Sequence, residues 1–253
     1  MNDFFFGFFY PIRSLSFFFK QPKIILYSMI PMFINLIIYG TIFYFSYSWI
    51  IGTSGELTGA NSLGATWFQE VFHFFILIFS FLLLLLVCYF LFITIGGIII
   101  APFEEHISQM VEEIITKTKY DSKLNFLQDA WYSIKAESFK LLFYFSIIIP
   151  LFFVGFIPMI GSVLATILGT LFSFFYNALD YLDYPMTRRF YRLKKKIKVT
   201  HSGGLLTYGF GCMAFLMLFL PVVNIFFKPV LVVAGTSLFY ERGFEKQFDD
   251  FKK

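Results

Sequence analysis

The amino-acid sequence predicts an all-α membrane protein with two long transmembrane helices, two shallow helical hairpins broken by proline and glycine, and a cytoplasmic amphipathic helical hairpin. Of the 253 residues, 58% are hydrophobic and 14% are charged, whereas soluble domains carry about 25% charged residues. Two uninterrupted apolar segments exceed the roughly 20 residues that cross ~30 Å of hydrocarbon. We therefore expect residues 1–253 to form a single multi-pass membrane domain.

The two long transmembrane helices are predicted at residues 24–51 and 71–103. These segments contain 28 and 33 residues and no Asp, Glu, Lys or Arg. Each is therefore long enough to cross the bilayer and to tilt within it.

Two further apolar segments, residues 141–179 and 205–240, are predicted to enter the membrane and return to the side they left. The first is interrupted at Pro158 and Gly161, and the second at Pro221. Their first arms would reach only about 21–23 Å at ~1.5 Å per residue, which is too short for a comfortable crossing. A helical hairpin with its tip buried in protein fits these segments better than two standard spans.

Residues 102–140 are predicted to form the cytoplasmic hairpin. Apolar residues recur every three to four positions after Pro102, which indicates a helix. Glu104 and Glu105 would lie in its first turn, where the helix dipole favours negative charge. Residues 120–123 are the predicted turn before the second amphipathic helix.

The distribution of Lys and Arg predicts the orientation of the chain. If both later segments are hairpins, 19 of the 20 basic residues lie on one side of the membrane. The positive-inside rule then places both termini in the cytoplasm and residues 52–70 outside. The formal net charge is +4, which is too small for a nucleic-acid surface, so we expect no nucleic-acid partner.

Charged residues cluster after the first membrane hairpin. Residues 188–198 contain seven Lys and Arg, which favours a topological signal beside anionic lipid or, alternatively, a landing zone for an anion leaving a pore. Asp180 and Asp183 lie on one helix face because they are three residues apart. We interpret this pair as anchoring the helix end or pairing with the basic run.

The polar residues do not form a pattern typical of an enzyme. No second apolar segment contains an Asp that could pair with Asp180 or Asp183 in an intramembrane protease, and no phosphate-binding loop of the Walker type is present. The three histidines, His73, His106 and His201, lie in different regions. We therefore expect no enzymatic activity, no cofactor and no metal site.

The hairpin tips are candidate anion sites. The second arms would begin near Gly161 and Asn224, where unpaired N–H groups and the positive end of the helix dipole favour an anion. Lys228 is the one Lys or Arg within the four apolar segments. The alternative for Lys228 is a side chain that snorkels from a shallow hairpin to the interface.

The start of the first long helix is a second candidate anion site. We expect this helix to begin at Pro22, with Lys23 in its first turn. An anion there would be attracted by Lys23 and by the N–H groups of residues 22–25. The alternative is that Lys23 contacts lipid phosphate.

Several short motifs run along nearly the whole chain, and in this order and spacing they resemble the CysZ-type sulfate permease family. The resemblance implies a multi-pass inner-membrane protein that forms homo-oligomers and takes up sulfate for cysteine synthesis without its own ATPase. The motifs are Gly7-Phe8-Phe9-Tyr10, Gln21-Pro22, Ile30-Pro31-Met32-Phe33-Ile34-Asn35, Ala101-Pro102-Phe103, Ile157-Pro158-Met159-Ile160-Gly161, Leu179-Asp180-Tyr181-Leu182-Asp183-Tyr184-Pro185-Met186, Tyr208-Gly209-Phe210-Gly211, Leu220-Pro221-Val222-Val223-Asn224 and Pro229-Val230-Leu231-Val232-Val233-Ala234-Gly235-Thr236.

The sequence departs from the family pattern at one position implicated in sulfate binding. The family carries two arginines shortly after Gln-Pro, whereas this chain has Ile25 and Leu26 there. Lys23 is the one cation nearby, and a single ammonium does not reproduce two guanidinium groups around a tetrahedral dianion. Transport of a different anion, or a non-transporting membrane scaffold or remodelling role on the same fold, therefore remains an alternative.

Overall fold

Eight α-helices make up the part of the chain that the computed structural model describes, which is residues 2–60, 66–118, 126–219 and 221–244. No strand occurs among these residues, so the predicted all-α class is confirmed. Four of the helices are long and apolar enough to cross a membrane, namely α2, α3, α4 and α5. The helices are α1 (Asn2–Phe19), α2 (Pro22–Thr58), α3 (Trp67–Thr116), α4 (Phe126–Val154), α5 (Gly161–Arg188), α6 (Leu193–Ser202), α7 (Leu205–Leu218) and α8 (Pro221–Glu241).

Helix α3 is one continuous element of 50 residues. It combines the predicted second long helix with the first predicted cytoplasmic helix. The prediction that a new helix begins at Pro102 is wrong, because the missing proline N–H removes one hydrogen bond without ending the helix. Glu104 and Glu105 therefore lie far from a helix N-terminus, and the dipole argument does not apply to them. The predicted turn at residues 120–123 lies outside the described residues.

Helices α4 and α5 are longer than the predicted hairpin arms. The first arm is predicted to begin at residue 141, whereas α4 begins at Phe126 and has 29 residues. By length and composition, α4 and α5 could each cross a membrane. The chain turns between them at residues 155–160, where Met159 has a φ of 68° and is 94% exposed. How deeply these helices lie in a bilayer stays a prediction.

Residues 30–99 form one compact unit, composed of the later part of α2 and the earlier part of α3. Aromatic side chains bridge the two helices: the Phe43 and Phe81 rings are 5.4 Å apart, and the Tyr47 and Phe81 rings are 5.5 Å apart. The Tyr39 hydroxyl donates to the Leu91 carbonyl oxygen at 3.1 Å. Most outward side chains are large and apolar, as expected for a helix pair surrounded by lipid.

Residues 1–29 and 100–253 form the other compact unit. Within it, α7 packs between α1 and α5 through glycines that allow backbones to touch. A Cβ at Gly209 would overlap the carbonyl oxygen of Phe4 in α1, and a Cβ at Gly211 would overlap that of Phe174 in α5. Small residues of this kind are typical of close helix contacts in membrane proteins. They explain the glycine pair of the Tyr208–Gly211 motif.

The core of this second unit is formed mainly by α5 and α8. The middle of α8, residues 230–234, is at most 2% exposed, and it packs against Tyr181 and Leu182 of α5. The C-terminal part of α5 is buried over almost its whole circumference, from Ala178 to Arg188. Its polar residues are therefore forced to find partners inside the protein.

Candidate functional site

In the described part of the chain, ten charged side chains from α3, α4, α5, α6 and α8, each at most 22% exposed, meet inside the unit formed by residues 1–29 and 100–253. Six are acidic and four are basic, so the formal charge of the group is negative when all of them are ionised. Buried charges are tolerated only when they are paired and hydrogen-bonded. We call this group the ionic network; its members are Glu104, Glu105, Glu112, Glu137, Lys140, Asp180, Asp183, Arg188, Lys196 and Lys228.

Lys140 of α4 is the most deeply buried cation of the network, with 1% of its side chain exposed. Its Nζ lies 2.6 Å from Asp180 Oδ1, 2.7 Å from Glu137 Oε2 and 3.2 Å from Asp183 Oδ2. The two aspartates lie on one face of α5, and Glu137 lies one turn before Lys140 in α4. Lys140 therefore joins α4 to α5 through three carboxylates.

Lys196 of α6 extends the same group. Its Nζ lies 2.6 Å from Asp183 Oδ1 and donates to the Thr187 hydroxyl at 2.8 Å. Asp183 thus stands between two buried ammonium groups, Lys140 and Lys196. The prediction that the aspartate pair contacts the basic run is confirmed for Asp183.

Arg188, at the end of α5, is paired with two carboxylates of α3. Its Nη1 donates to Glu105 Oε1 at 2.8 Å, and its Nε donates to Glu112 Oε2 at 3.0 Å. Its Nη2 donates to Ser108 Oγ at 3.2 Å, and that hydroxyl lies 2.7 Å from the Thr236 hydroxyl of α8. The planar guanidinium group therefore ties α5 to α3 with a fork of charge-assisted hydrogen bonds.

Glu105 is a group of the network that titrates near neutral pH. Burial raises its pKa from an ordinary value of 4.5 to about 7, although the Arg188 guanidinium opposes the shift. The folded state then binds this proton more tightly than the unfolded chain. The contribution of Glu105 to stability is therefore greatest below pH 4.5 and is lost as the pH rises to about 7.

Glu104 and Lys228 form a further ion pair in the network. Lys228 Nζ lies 3.1 Å from Glu104 Oε1, and the Tyr184 hydroxyl donates to Glu104 Oε2 at 2.5 Å. Lys228 was predicted to be a lone cation available to an anion. The structure gives it a buried carboxylate partner instead, which neutralises it within the protein.

A small cavity of about 10 Å³ lies between Glu105 of α3, Lys140 of α4 and Asp183 of α5. Its lining includes Glu105, Glu137, Lys140, Asp183 and Tyr184. This volume is about the minimum that one water molecule needs. The network is therefore tightly packed around its cations, and an anion of the size of sulfate would need the surrounding side chains to move.

The predicted site at the start of α2 differs in part from expectation. The helix begins at Pro22, and Lys23 is exposed in its first turn. The prediction of free N–H groups at residues 22–25 is wrong for three of them: Pro22 has no N–H, and the N–H groups of Ile24 and Ile25 donate to the Gln21 carbonyl oxygen at 3.0 and 3.3 Å. Lys23 thus offers its ammonium group on the surface, with less backbone support than expected.

The hairpin tips also lack part of the predicted support. The Gly161 N–H donates to the Ile157 carbonyl oxygen at 3.0 Å, and Gly161 is buried where a Cβ would overlap the Val154 carbonyl oxygen. Its backbone is therefore used to close the turn between α4 and α5. Asn224 lies in the first turns of α8, but its side chain lies outside the described residues. The structure thus does not bring Lys23, Gly161 and Lys228 together as one site.

The prediction from sequence missed most of the ionic network. Glu137 with Lys140, and Asp180 with Asp183, are pairs at a spacing of three residues, a signal visible on a single helix. The sequence instead relates Glu104 and Glu105 to a helix dipole, and Arg188 and Lys196 to a basic run beside anionic lipid or at the end of an anion pathway. The contacts between helices span from 13 residues of sequence, for Asp183 and Lys196, to 124 residues, for Glu104 and Lys228. Helix periodicity alone could not reveal them.

The Lys23 site leads to a prediction about anion binding. We expect Lys23→Gln to weaken sulfate binding roughly fivefold, equivalent to about 1 kcal/mol for an exposed charge contact. Lys20→Gln should change binding by less than twofold, because Lys20 precedes α2 and lies outside its first turn. Both dissociation constants can be measured by isothermal titration calorimetry in detergent. Equal effects of the two substitutions would identify Lys23 as a membrane anchor.

Residues 10–229 match the protein family described as sulfate transporter CysZ/etoposide-induced protein 2.4. The chain is 28% identical over 227 residues to the sulfate transporter CysZ of Pectobacterium atrosepticum, which covers 87% of this chain and 80% of that protein. It is 27% identical over 238 residues to the sulfate transporter CysZ of Salmonella typhimurium, covering 90% and 92%. It is 26% identical over 227 residues to the sulfate transporter CysZ of Vibrio atlanticus, covering 86% of each protein.

Proposed function

The chain belongs to the sulfate transporter CysZ/etoposide-induced protein 2.4 family, and from this premise we propose that it is a sulfate permease. It transports sulfate across the inner (plasma) membrane of the cell, supplies sulfate for cysteine synthesis and acts as a homo-oligomer with both termini in the cytoplasm. The family is one of transporters and not of enzymes. The observation that carries the proposal is the similarity to proteins named sulfate transporter over most of their length and of this chain.

The ionic network is compatible with an anion pathway that opens only transiently. Lys140, Arg188 and Lys196 are buried cations, and each is bound to at least one carboxylate. An anion can use such a cation only if a carboxylate moves away or becomes protonated. Glu105, with a pKa of about 7, is a carboxyl group that can take up this proton under physiological conditions.

The proposal predicts sulfate flux through the isolated protein. Liposomes containing the purified full-length chain should equilibrate radiolabelled sulfate at least tenfold faster than empty liposomes. The same vesicles should be offered phosphate, chloride and selenate to establish which anion is preferred. Flux equal to that of empty liposomes, in a preparation where a control carrier is active, would exclude the permease function. Faster flux of another anion would replace sulfate as the substrate.

The proposed orientation can be tested by labelling. In a background with Cys88→Ala and Cys212→Ala, we expect Leu57→Cys to react with a membrane-impermeant maleimide on intact cells. Leu57 is 86% exposed near the end of α2, within the predicted outer loop. Lys194→Cys, in the basic run, should react only after the membrane is permeabilised. The reverse pattern would mean that the termini lie outside, and equal labelling would mean insertion in both orientations.

A non-transporting scaffold on the same fold is the second candidate function. It is favoured by one observation, which is that Lys140, Arg188, Lys196 and Lys228 are all neutralised by carboxylates within the chain. Such a network can serve to hold helices together without binding a substrate. The flux measurement separates the two functions. If the protein is a scaffold, the flux of every anion in the panel should equal that of empty liposomes.

A further inference from the structure

A groove of about 480 Å³ lies between α1, the end of α3 and the end of α8. Its volume falls within the range of about 300–1,000 Å³ that is usual for ligand pockets. Most of its lining is aromatic or aliphatic, including Phe6, Phe17 and Ile115. The polar groups Arg13 and Glu241 lie on the same groove. The groove therefore combines an apolar floor with a charged part.

Two guanidinium groups lie against the ring of Phe6, which lines the groove. Arg13 lies 5.3 Å from the centre of the Phe6 ring, and Arg242 lies 3.9 Å from the same centre. In the described part of the chain, neither arginine forms an ion pair with a carboxylate. Arg13 therefore places a positive charge on the groove, and Arg242 places a second one beside the same ring.

The nearby carboxylate is already engaged by another residue. The Tyr10 hydroxyl donates to Glu241 Oε2. Burial raises the pKa of Tyr10, and the hydrogen bond to Glu241 raises it further, so this hydroxyl stays protonated and continues to donate. Tyr10 thereby joins α1 to α8 and fixes Glu241 within the groove.

Helix α1 also presents an apolar face to its surroundings. Phe5, Phe9, Ile12 and Phe19 are 42% to 69% exposed, whereas Gly7, Tyr10 and Ser14 on the other face are buried. A helix of this kind is typical of the membrane interface, where it lies among lipid headgroups and the first part of the acyl chains. The groove is therefore formed by an element that is expected to be in contact with lipid.

We propose that this groove binds one anionic phospholipid, with its phosphate between Arg13 and Arg242 and an acyl chain along Phe6, Phe17 and Ile115. The charge complementarity selects a phosphate, because arginine forms paired hydrogen bonds with phosphate oxygens. The apolar floor selects an amphiphile over a free ion. A headgroup with a net negative charge is favoured over a zwitterionic one, since a second cation in the ligand would oppose the two arginines.

The proposal can be tested on the full-length protein by native mass spectrometry. At equal lipid concentration, the wild-type protein should retain phosphatidylglycerol at least fivefold more often than phosphatidylcholine of the same chain length. The double variant Arg13→Gln/Arg242→Gln should retain at least tenfold less phosphatidylglycerol than the wild-type protein. Arg192→Gln should behave as wild type, because Arg192 is an exposed arginine outside the groove.

Two further arms keep the result decisive. Arg13→Lys/Arg242→Lys keeps the charge but loses the paired hydrogen bonds. It should retain more phosphatidylglycerol than the glutamine variant and less than the wild-type protein, and it serves as the test if the glutamine variant does not fold. Inorganic phosphate is the probe for a free-anion site. Equal retention of the two lipids by the wild-type protein would overturn the proposal. Displacement of phosphatidylglycerol by millimolar inorganic phosphate would also overturn it in favour of a free-phosphate site.

Discussion

Replacing Lys140 by methionine is expected to destabilise the protein by about 3–5 kcal/mol, because it leaves several buried carboxylates without their shared cation. Asp180 and Asp183 of α5 and Glu137 of α4 all lie within 3.2 Å of the Lys140 ammonium group. Because methionine fills a similar volume, the change in stability reports the loss of the positive charge and not the loss of packing. For a chain of this size we expect a fall of roughly 10 °C in the apparent midpoint of thermal unfolding, measured in detergent.

Lys135→Met is the matched control, because Lys135 lies on the same helix and is exposed. Its midpoint should change by no more than about 2 °C, as for other surface substitutions. The double variant Lys140→Met/Asp180→Asn should recover part of the loss, since one of the uncompensated charges is removed. If Lys140→Met unfolds at the same temperature as the wild-type protein, the ionic network does not stabilise the fold.

Replacing Gly211 by alanine is expected to separate α7 from α5. The new Cβ would overlap the carbonyl oxygen and carbon of Phe174, and backbone atoms inside a helix cannot move aside as a flexible side chain can. Overpacking of this kind costs about 1–3 kcal/mol, and it exceeds the gain of about 1 kcal/mol that alanine brings to a helix. We expect a lower unfolding midpoint and a lower yield of monodisperse protein on size-exclusion chromatography.

Gly169→Ala in α5 is the control for this prediction. Its Cβ would meet no atom within 4 Å, so only the helix propensity changes and the protein should become slightly more stable. The same substitution is thus expected to act in opposite directions at two glycines. A destabilising effect of Gly169→Ala, or no effect of Gly211→Ala, would contradict the prediction. It would mean that the packing of α7 on α5 does not require a glycine at the contact between their backbones.

The sequence was sufficient to predict the fold class because lipid imposes a strong constraint on composition. Segments without charge must be helical in a membrane, and residues 24–51 and 71–103 both lie almost entirely within helices. The start of α2 followed from proline chemistry, since Pro22 suits the first turn of a helix. These predictions depended on local rules that act over a few residues.

The candidate site could not be predicted in the same way. Lys140 contacts Asp180 only because α4 and α5 pack with these two residues at the same level. Arg188 contacts Glu112 only because α5 lies beside the end of α3. The basic run after α5 could therefore be recognised as charged, but not as partly buried. The glycines of α7 were likewise visible as a motif, while the carbonyl groups that they touch belong to distant helices.

The contact between α1 and α7 has a consequence for synthesis of the chain. Gly7 packs against the carbonyl oxygen of Leu206, so α1 docks on a helix that leaves the ribosome about 200 residues later. At ~5–20 residues per second, translation of the roughly 200 intervening residues takes about 10–40 seconds. During this time the phenylalanine-rich α1 has no protein partner for Gly7, and the bilayer surface can cover only its apolar side. A nascent chain arrested before residue 205 should therefore expose α1 to proteolysis, whereas a chain arrested after α7 has emerged should protect it.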